Sequence, residues 1–235
     1  MNRGVVVESR IKKILIIVFV IVMVIFVLFL LGGNLHNNRK MLSRLNPNDY
    51  RGYDNLMIVA HPDDETLWGF NKLSKNKFLV VCVTCGRNKI REKEIENAMK
   101  MTDDKLISLG YTDKFLSRRS KWRFSYNNIE NDLDTIIKLK KWNMVVTHNK
   151  DGEYGHMHHK MIHDMVEKEK PKHLSCFGKY YTKRKMDHID REKLDKYKLD
   201  DKTLMEKRKV LAKYKSQQKV KNMFEHMIPY ENIDV

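Results

Sequence analysis

The stretch of sequence that decides the fold is NLMIVAHPDDE, residues 55–65. Its first part, residues 55–60, is a short apolar run and predicts a buried strand. The polar sequence HPDDE follows directly. Because ligands bind beyond the carboxyl ends of strands in a parallel sheet, this turn is the first candidate site.

Further short apolar runs alternate with helical patterns along the chain. Besides residues 55–60, strands are predicted over residues 78–84, 144–147 and 174–181. Helices are predicted directly after HPDDE, over about 91–109, about 129–142, from near 156, and over about 202–215. Such alternation predicts an α/β fold, a Rossmann-like and mostly parallel sheet with helices on both faces.

The N-terminal part of the chain has a different character. Ile14 to Leu31 is a run without a polar side chain, and Gly32 and Gly33 extend it. Twenty helical residues span about 30 Å, the thickness of a bilayer's hydrocarbon core. An uncleaved transmembrane helix is therefore expected to precede the α/β fold, with a cleaved signal peptide as the alternative. The predicted organisation is a basic tail (1–13), an anchor (14–33), a linker (34–53) and a catalytic domain (54–235).

Composition narrows the classes of function. A hydrophobic fraction of 42% argues against disorder, and three cysteines do not make a disulfide framework. The formal net charge is +16, which suits anionic headgroups or a phosphate-bearing substrate. The sequence has no RNA-recognition or zinc-finger signature, so nucleic acid is not an expected partner.

The HPDDE turn has the residue types of a metal site. Two adjacent carboxylates, Asp63 and Asp64, stand close to the imidazole of His61. Such a cluster is costly without a cation, and a divalent metal bound by His61 and one aspartate would remove that cost. The alternative is a polar turn that caps the next helix.

A second polar cluster, THNKDGEYGHMHHKMIH, follows the strand predicted over residues 144–147. His156 and His159 have an i,i+3 spacing at a predicted helix start, which puts both rings on one face. His159 and His163 form a rival i,i+4 pair, and a solvated histidine-rich turn is the remaining alternative. His158 points about 100° away from its neighbour around the helix and is expected to contribute little.

Taken together, these motifs resemble the PIG-L (LmbE-like) zinc-dependent de-N-acetylase family. AHPDDE at residues 60–65 and GHMHH at residues 155–159 resemble its PDDE and GH-x-x-H motifs. Its G…R-x-x-E-x-x-x-A segment and its Y-x-S-Q element are matched by Gly86, Arg91, Glu94 and Ala98, and by Tyr214, Ser216 and Gln217. Met157 and His158 depart from the pattern, since the family often has Pro and Asp or Asn there.

The resemblance implies a role for each matching residue. The bound metal would be Zn²⁺, with another divalent ion such as Fe²⁺ as the alternative, and its ligands would be His61, Asp64 and His159. Asp63 would be the general base, and His156 would stabilise the oxyanion. The remaining implied roles are orientation of the turn by Glu65 and substrate binding by Arg91.

The implied reaction is hydrolysis of the N-acetyl group of an N-acetylglucosamine (GlcNAc) conjugate. The leading substrate is N-acetylglucosaminyl-phosphatidylinositol (GlcNAc-PI) or a related glycolipid. The alternatives are a soluble GlcNAc conjugate, or a membrane-tethered sugar-binding protein with an inactive site. The catalytic domain is expected on the cytoplasmic side of a membrane, endoplasmic-reticulum-like if the protein is eukaryotic. No obligatory protein partner is indicated, and Cys82 and Cys85 are expected to serve packing.

Overall fold

The computed structural model describes residues 3–84, 88–115, 117–187 and 194–234. The chain divides into two compact units, residues 1–43 and residues 44–235. The first unit contains one helix, α1 (Arg3–Leu42), and the second contains the α/β fold.

Helix α1 covers the predicted anchor and continues into the predicted linker. Its apolar side chains from Ile14 to Val27 are exposed. Within the described residues, no helix combines the length and the apolar character that crossing a membrane requires. The transmembrane anchor expected over residues 14–33 is therefore not supported, and the side chains of its last residues, 28–33, lie outside the described part of the chain.

The described part of the second unit contains a six-stranded sheet with the strand order β3-β2-β1-β6-β7-β8. All neighbours pair in parallel except β8, which runs antiparallel to β7. The predicted mostly parallel sheet is confirmed. The strands are β1 (Asn55–Val59), β2 (Phe78–Thr84), β3 (Lys105–Tyr111), β4 (Lys114–Phe115), β5 (Arg118–Arg119), β6 (Met144–Thr147), β7 (Leu174–Phe177) and β8 (Ile233–Asp234), of which β4 and β5 form a separate antiparallel hairpin.

The described helices of the second unit include the five that the alternating pattern predicts and three short additional ones. They are α2 (Asp64–Leu73), α3 (Lys89–Thr102), α4 (Tyr126–Ile137), α5 (Gly152–Gly155), α6 (Met157–Lys168), α7 (Lys183–Met186), α8 (Asp201–Leu211) and α9 (Gln218–Phe224), with 3₁₀ turns at Pro47–Tyr50 and Lys215–Gln217. Every residue of β2 is buried. Because side chains alternate between the two faces of a strand, both faces of the sheet are covered at this point.

One predicted helix is, in the structure, a shorter helix followed by a strand. The helix expected over about 91–109 ends at Thr102, and strand β3 begins at Lys105. Asp103 separates them with a left-handed backbone (φ 55°), a conformation that ends a helix. Leu109 and Tyr111 are buried while Gly110 is half-buried, so this apolar segment has the period of a strand.

Other boundaries also differ from the prediction. Helix α4 ends at Ile137 rather than Trp142, whose indole nitrogen donates to the Ile137 carbonyl at 2.9 Å. Strand β7 ends at Phe177, before the predicted 181, and α8 ends at Leu211, before the predicted 215. Cys82 is buried in β2, whereas Cys85 and Gly86 lie outside the described residues.

The sheet order brings the two polar clusters together. Strand β1 pairs directly with β6, with Met57 opposite Val146. The HPDDE turn follows β1, and the histidine-rich segment follows β6. Because neighbouring parallel strands end at the same edge of a sheet, both clusters lie at one edge.

Candidate active site

The HPDDE turn is held in place by its own carboxylates. The backbone N–H of His61 donates to Asp64 Oδ2 at 2.8 Å, and the backbone N–H of Asp63 donates to Glu65 Oε2 at 3.1 Å. Glu65 Oε1 also accepts hydrogen bonds from Thr66 and from the hydroxyl of Tyr214. Asp63 adopts a positive φ of 110°, a strained conformation for a residue with a side chain. The surrounding hydrogen bonds therefore fix a backbone that this sequence would otherwise avoid.

Three side-chain atoms from the two clusters form a small triangle. His61 Nδ1 lies 3.1 Å from Asp64 Oδ2, and His159 Nε2 lies 3.3 Å from each of those atoms. Tetrahedral zinc with bonds of about 2.0–2.1 Å places its ligand atoms about 3.3 Å apart. The ligand set implied by the resemblance is thus brought together with spacings that fit a metal ion.

His159 presents the correct nitrogen to this triangle because of Glu153. His159 Nδ1 contacts Glu153 Oε2, and since a carboxylate accepts, Nδ1 carries the proton. The lone pair of the neutral ring is then on Nε2, at the triangle. Glu153 is fully buried at its side chain and occurs in a strained conformation with φ 55°. A carboxylate that accepts from the far nitrogen of a histidine ligand is a recurrent part of metal sites.

His148 supports Glu153 from the other side. The backbone N–H of Ala60 donates to His148 Nε2 at 2.9 Å, so the proton of the neutral ring is on Nδ1. That nitrogen lies 3.1 Å from Glu153 Oε2 and donates to it. His148, Glu153 and His159 lie close enough to suggest a rival metal group. This group is not a metal site, because the single lone pair of the neutral His148 ring already accepts the backbone N–H of Ala60.

The charges of the site favour a cation at the triangle. Burial raises the pKa of Asp64, but His159 and His61 outweigh burial and hold that pKa well below its usual range. Burial lowers the pKa of His159, yet Asp64 and Glu153 outweigh it and raise this pKa to about 9. A positive charge is therefore stabilised where a divalent metal would be bound.

Asp63 lies beside the triangle but is not part of it. Its Oδ2 atom is buried and has no hydrogen-bond partner among the described residues. Its Oδ1 atom lies 4.0 Å from Arg91 Nη2. Burial and then the neighbouring Asp64 raise the pKa of Asp63 well above its usual range. A carboxyl group with a free oxygen and a raised pKa is suited to accept a proton.

His156 is the residue that precedes α6 and caps it. Its Nδ1 accepts the backbone N–H of His158 at 3.2 Å, so Nε2 carries the proton of the neutral ring. Burial, followed by the nearby His61 and His159, lowers the pKa of His156 to about 2. The ring lines the same cavity as Asp63 and Asp64 and is a neutral donor there.

Arg91 lies against the HPDDE turn. It donates to the Pro62 carbonyl at 3.0 Å and to Asp113 Oδ2 at 3.4 Å. It also lines the cavity, but only 12% of its side chain is exposed. These contacts position the turn, and the substrate-binding role implied for Arg91 stays a prediction.

The two distal motif segments support the turn indirectly. Glu94 accepts hydrogen bonds from the backbone N–H and the hydroxyl of Ser216, at 2.7 and 2.6 Å. Tyr214, from the same short segment, donates to Glu65. The family-like residues outside the clusters therefore tie α3 and the C-terminal region to the HPDDE turn.

Several site residues were not identified from the sequence. Glu153 lies inside the histidine-rich segment, and the flanking Gly152 and Gly155, both with positive φ, were the available signal. Asp113 and Trp122 belong to no motif. Trp122 stacks on His158, with ring centroids 4.0 Å apart. His158, which was expected to contribute little, has its Nδ1 atom 3.0 Å from His61 Nε2.

Comparison with known proteins agrees with this site. Residues 56–170 match the family model described as PIG-L: GlcNAc-PI de-N-acetylase. Over these residues the chain is similar to that family. The match includes the HPDDE turn, Glu153 and the three atoms of the triangle.

Two curated proteins are similar to part of this chain. An uncharacterized protein of Acanthamoeba polyphaga mimivirus is 32% identical over 145 residues, which cover 54% of this chain and 62% of that protein. The N-acetylglucosaminyl-phosphatidylinositol de-N-acetylase of Saccharomyces cerevisiae is 23% identical over 148 residues, which cover 56% of this chain and 48% of that enzyme. The chain thus spans less than two thirds of the length of either relative.

Solved structures share the fold of much of this chain. The A40926 pseudoaglycone deacetylase Dbv21 has a TM-score of 0.56 and 16% identity, with 73% of this chain and 85% of that chain covered. GalB, the 4-carboxy-2-hydroxymuconate hydratase of Pseudomonas putida KT2440, has a TM-score of 0.50 and 12% identity, with 74% and 84% covered. Because these two enzymes are named for different reactions, the fold does not choose the reaction, and the argument for function rests on the site.

Proposed function

We propose that this protein hydrolyses the N-acetyl group of a GlcNAc conjugate with the help of a bound divalent metal, Zn²⁺ in the first instance. The observation that carries the proposal is the triangle of His61, Asp64 and His159 beside the free carboxylate oxygen of Asp63. A Zn²⁺ ion held by these three residues would polarise the amide carbonyl and lower the pKa of water. The similarity of residues 56–170 to a de-N-acetylase family supports the same reaction.

The side chains around the triangle would then have separate tasks. Asp63 accepts the proton of the attacking water and delivers it to the leaving amine. His156 donates from Nε2 to the developing oxyanion, because its Nδ1 is engaged by the His158 backbone. Glu153 holds His159, and Glu65 holds the backbone of Asp63.

The cavity lining supports a substrate that is both anionic and apolar. Lys114 and Arg119 line the cavity, and so do Val220, Met223 and Phe224. Lys114 and Arg119 are directly opposite each other in the β4–β5 hairpin. Like charges in this position repel each other. A phosphate bound between them would remove the repulsion.

These features favour GlcNAc-PI or a related glycolipid over a neutral soluble conjugate. Its phosphate would meet Lys114 and Arg119, and its lipid portion would meet the apolar residues. The similarity to the yeast de-N-acetylase, which carries GlcNAc-phosphatidylinositol in its name, supports the same choice. The expected location of the domain, on the cytoplasmic side of a membrane, stays a prediction.

The reaction is tested by acetate release from a panel of GlcNAc conjugates that includes GlcNAc-PI. We expect the purified full chain to release acetate, a strong chelator to abolish release, and added Zn²⁺ to restore it, because the metal polarises the amide. Metal content is measured on the same samples. A protein that holds one metal ion but releases no acetate from any conjugate would contradict the proposal and favour the sugar-binding alternative.

The substrate class is tested separately with Arg119→Gln. We expect kcat/KM to fall about 10- to 100-fold for GlcNAc-PI, since a hydrogen bond to a charged group contributes about 1.5–3 kcal/mol. A neutral GlcNAc glycoside should be hydrolysed as in the wild type, and Arg119→Lys should retain most of the activity on GlcNAc-PI. Equal losses on both substrates would mean that Arg119 does not recognise an anion.

A further inference from the structure

His158 is fully buried between the candidate metal centre and an aromatic loop residue. Its ring is nearly parallel to that of Trp122, with an interplanar angle of 4°. Its Nε2 lies 2.7 Å from the Ser120 carbonyl oxygen, and its Nδ1 lies 3.0 Å from His61 Nε2. The His158 side chain has 0% exposure, so neither ring nitrogen contacts solvent.

The hydrogen-bond partners fix where each proton is. A carbonyl oxygen only accepts, so Ser120 requires that His158 Nε2 carries a proton. The neutral His158 ring then has its lone pair on Nδ1, facing His61. That lone pair accepts from His61 Nε2, which must carry the proton of its own ring. The lone pair of His61 is therefore on Nδ1, the atom at the triangle.

We propose that His158 is a positioning residue that selects the tautomer of His61, so that Nδ1 is presented to the metal. The inference rests on the metal centre of the proposed function. It adds a residue for which neither the sequence pattern nor the comparisons give a role. His158 does for His61 what Glu153 does for His159: each accepts from the nitrogen that is turned away from the metal.

An alternative is that His158 binds the metal itself, in a group with His61 and His156. His156 cannot join that group as a neutral ring, because its Nδ1 lone pair accepts the backbone N–H of His158. His61 would also need its lone pair on Nε2, and the triangle would lose its third atom. The same hydrogen bonds that support the triangle therefore argue against this group.

Asp113 is the other group near this contact. Its Oδ1 lies 3.5 Å from His61 Nε2 and 3.8 Å from His158 Nδ1. Both distances are longer than the 3.0 Å between the two rings. The other oxygen of Asp113, Oδ2, lies 3.4 Å from Arg91 Nη1. His158 is thus the nearer acceptor, and Asp113 adds negative charge that favours the same direction of donation.

The test measures zinc affinity in three variants by competition with a chromophoric chelator, starting from metal-free full-length protein. His158→Phe keeps the aromatic stack on Trp122 but removes the acceptor, and its zinc Kd is expected to rise 10–100-fold, as is typical when such an outer hydrogen bond is lost. His158→Asn places an amide oxygen near the position of Nδ1 and should restore the Kd to within a few-fold of the wild type. His163→Phe removes another buried histidine of α6, one that donates to the His148 carbonyl at 2.9 Å, and should leave the Kd unchanged.

The outcomes separate this inference from the proposed reaction. A wild-type Kd in His158→Phe would overturn the inference, and so would a His158→Asn variant as weak as His158→Phe. Melting of the metal-free variants shows whether a weaker Kd comes from a damaged fold, and the inference requires His158→Phe to melt within a few degrees of His163→Phe. A wild-type protein that binds zinc tightly but releases no acetate would contradict the reaction and leave the role of His158 standing.

Discussion

Asp63→Asn is expected to keep the metal and to lose turnover, with kcat reduced by about 10² to 10⁴. The amide has nearly the shape of the carboxyl group, but its oxygen does not take up a proton from water at neutral pH. Asp63 contributes no atom to the triangle of His61, Asp64 and His159, so the variant keeps all three proposed metal ligands. Acetate release and bound zinc, measured on the same preparation, check both parts of this prediction.

The fold should tolerate this substitution well. Asp63 has a positive φ of 110°, and asparagine enters such conformations more readily than most residues with a side chain. The Asp63 carboxyl is buried, and burial raises its pKa well above the usual range, so its charged form is costly to the folded state. Removing that charge should leave the melting temperature unchanged or slightly higher. A loss of turnover in this variant therefore reports on proton transfer and not on unfolding.

The adjacent Asp64 provides the matched control. Asp64→Asn removes the charge at the triangle, and we expect it to lose bound zinc together with activity. The same chemical change at two neighbouring positions thus separates metal binding from proton transfer. Near-normal turnover in Asp63→Asn with unchanged metal would mean that another group is the base. Loss of zinc in Asp63→Asn would mean that Asp63 is a ligand.

The central part of the fold could be predicted because its strands correspond to short apolar runs in the sequence. β1 and β6 are fully or almost fully buried, and such strands read as continuous hydrophobic segments. Because parallel neighbours end at one edge, the residues that follow these strands had to come together. The two polar clusters were expected in one site for this reason, whereas the choice of His61, Asp64 and His159 as ligands came from the resemblance to the PIG-L family.

The rest of the site depends on contacts that no local pattern encodes. Glu153 and His158 act through the nitrogen of a histidine that is turned away from the triangle, and the choice of that nitrogen depends on distant backbone groups such as the Ser120 carbonyl. The helix argument placed His158 correctly on α6 but could not show that the loop ending at Trp122 packs over it. The direction of the side chain around the helix was therefore not enough to show that His158 contacts the candidate metal site.

The boundary errors have a similar cause. The helix predicted over about 91–109 included Leu106, although Asp103 ends the helix with a left-handed backbone and β3 pairs with β2. Pairing with a neighbouring strand overrode the local pattern. The C-terminal part, with α9 and the antiparallel β8, has no long apolar run and was not predicted.

The second large effect is expected at a buried ion pair far from the reaction. Lys207 of α8 is fully buried, and its Nζ lies 2.7 Å from Glu231 Oε1. The same Nζ donates to the Leu67 carbonyl at 2.9 Å, and Glu231 Oε2 accepts the backbone N–H of Asn71 at 2.8 Å. The pair therefore joins two C-terminal segments to α2, the helix that begins at the HPDDE turn.

Lys207→Met is expected to lower the free energy of unfolding by about 3–5 kcal/mol, because it leaves a buried carboxylate without its counter-ion. Burial lowers the pKa of Lys207, which indicates that the ammonium group is itself costly to bury and depends on Glu231. Urea unfolding of the full chain measures the change. A loss below about 1 kcal/mol would contradict the account.

Two further variants show whether the effect comes from the unpaired charge. The double variant with Lys207→Met and Glu231→Gln has no buried charge at this point, and the glutamine oxygen still accepts from Asn71. We expect it to recover most of the stability, since replacing a whole buried pair is often close to neutral. Arg208→Met removes the ion pair of the next residue along α8, which has the same 2.7 Å distance to Glu225 but is about half exposed. Solvent screens that pair, so its loss should cost at most about 1 kcal/mol. If the double variant is as unstable as Lys207→Met alone, the stability comes from packing of the lysine chain, and α2 is not held by the charge pair.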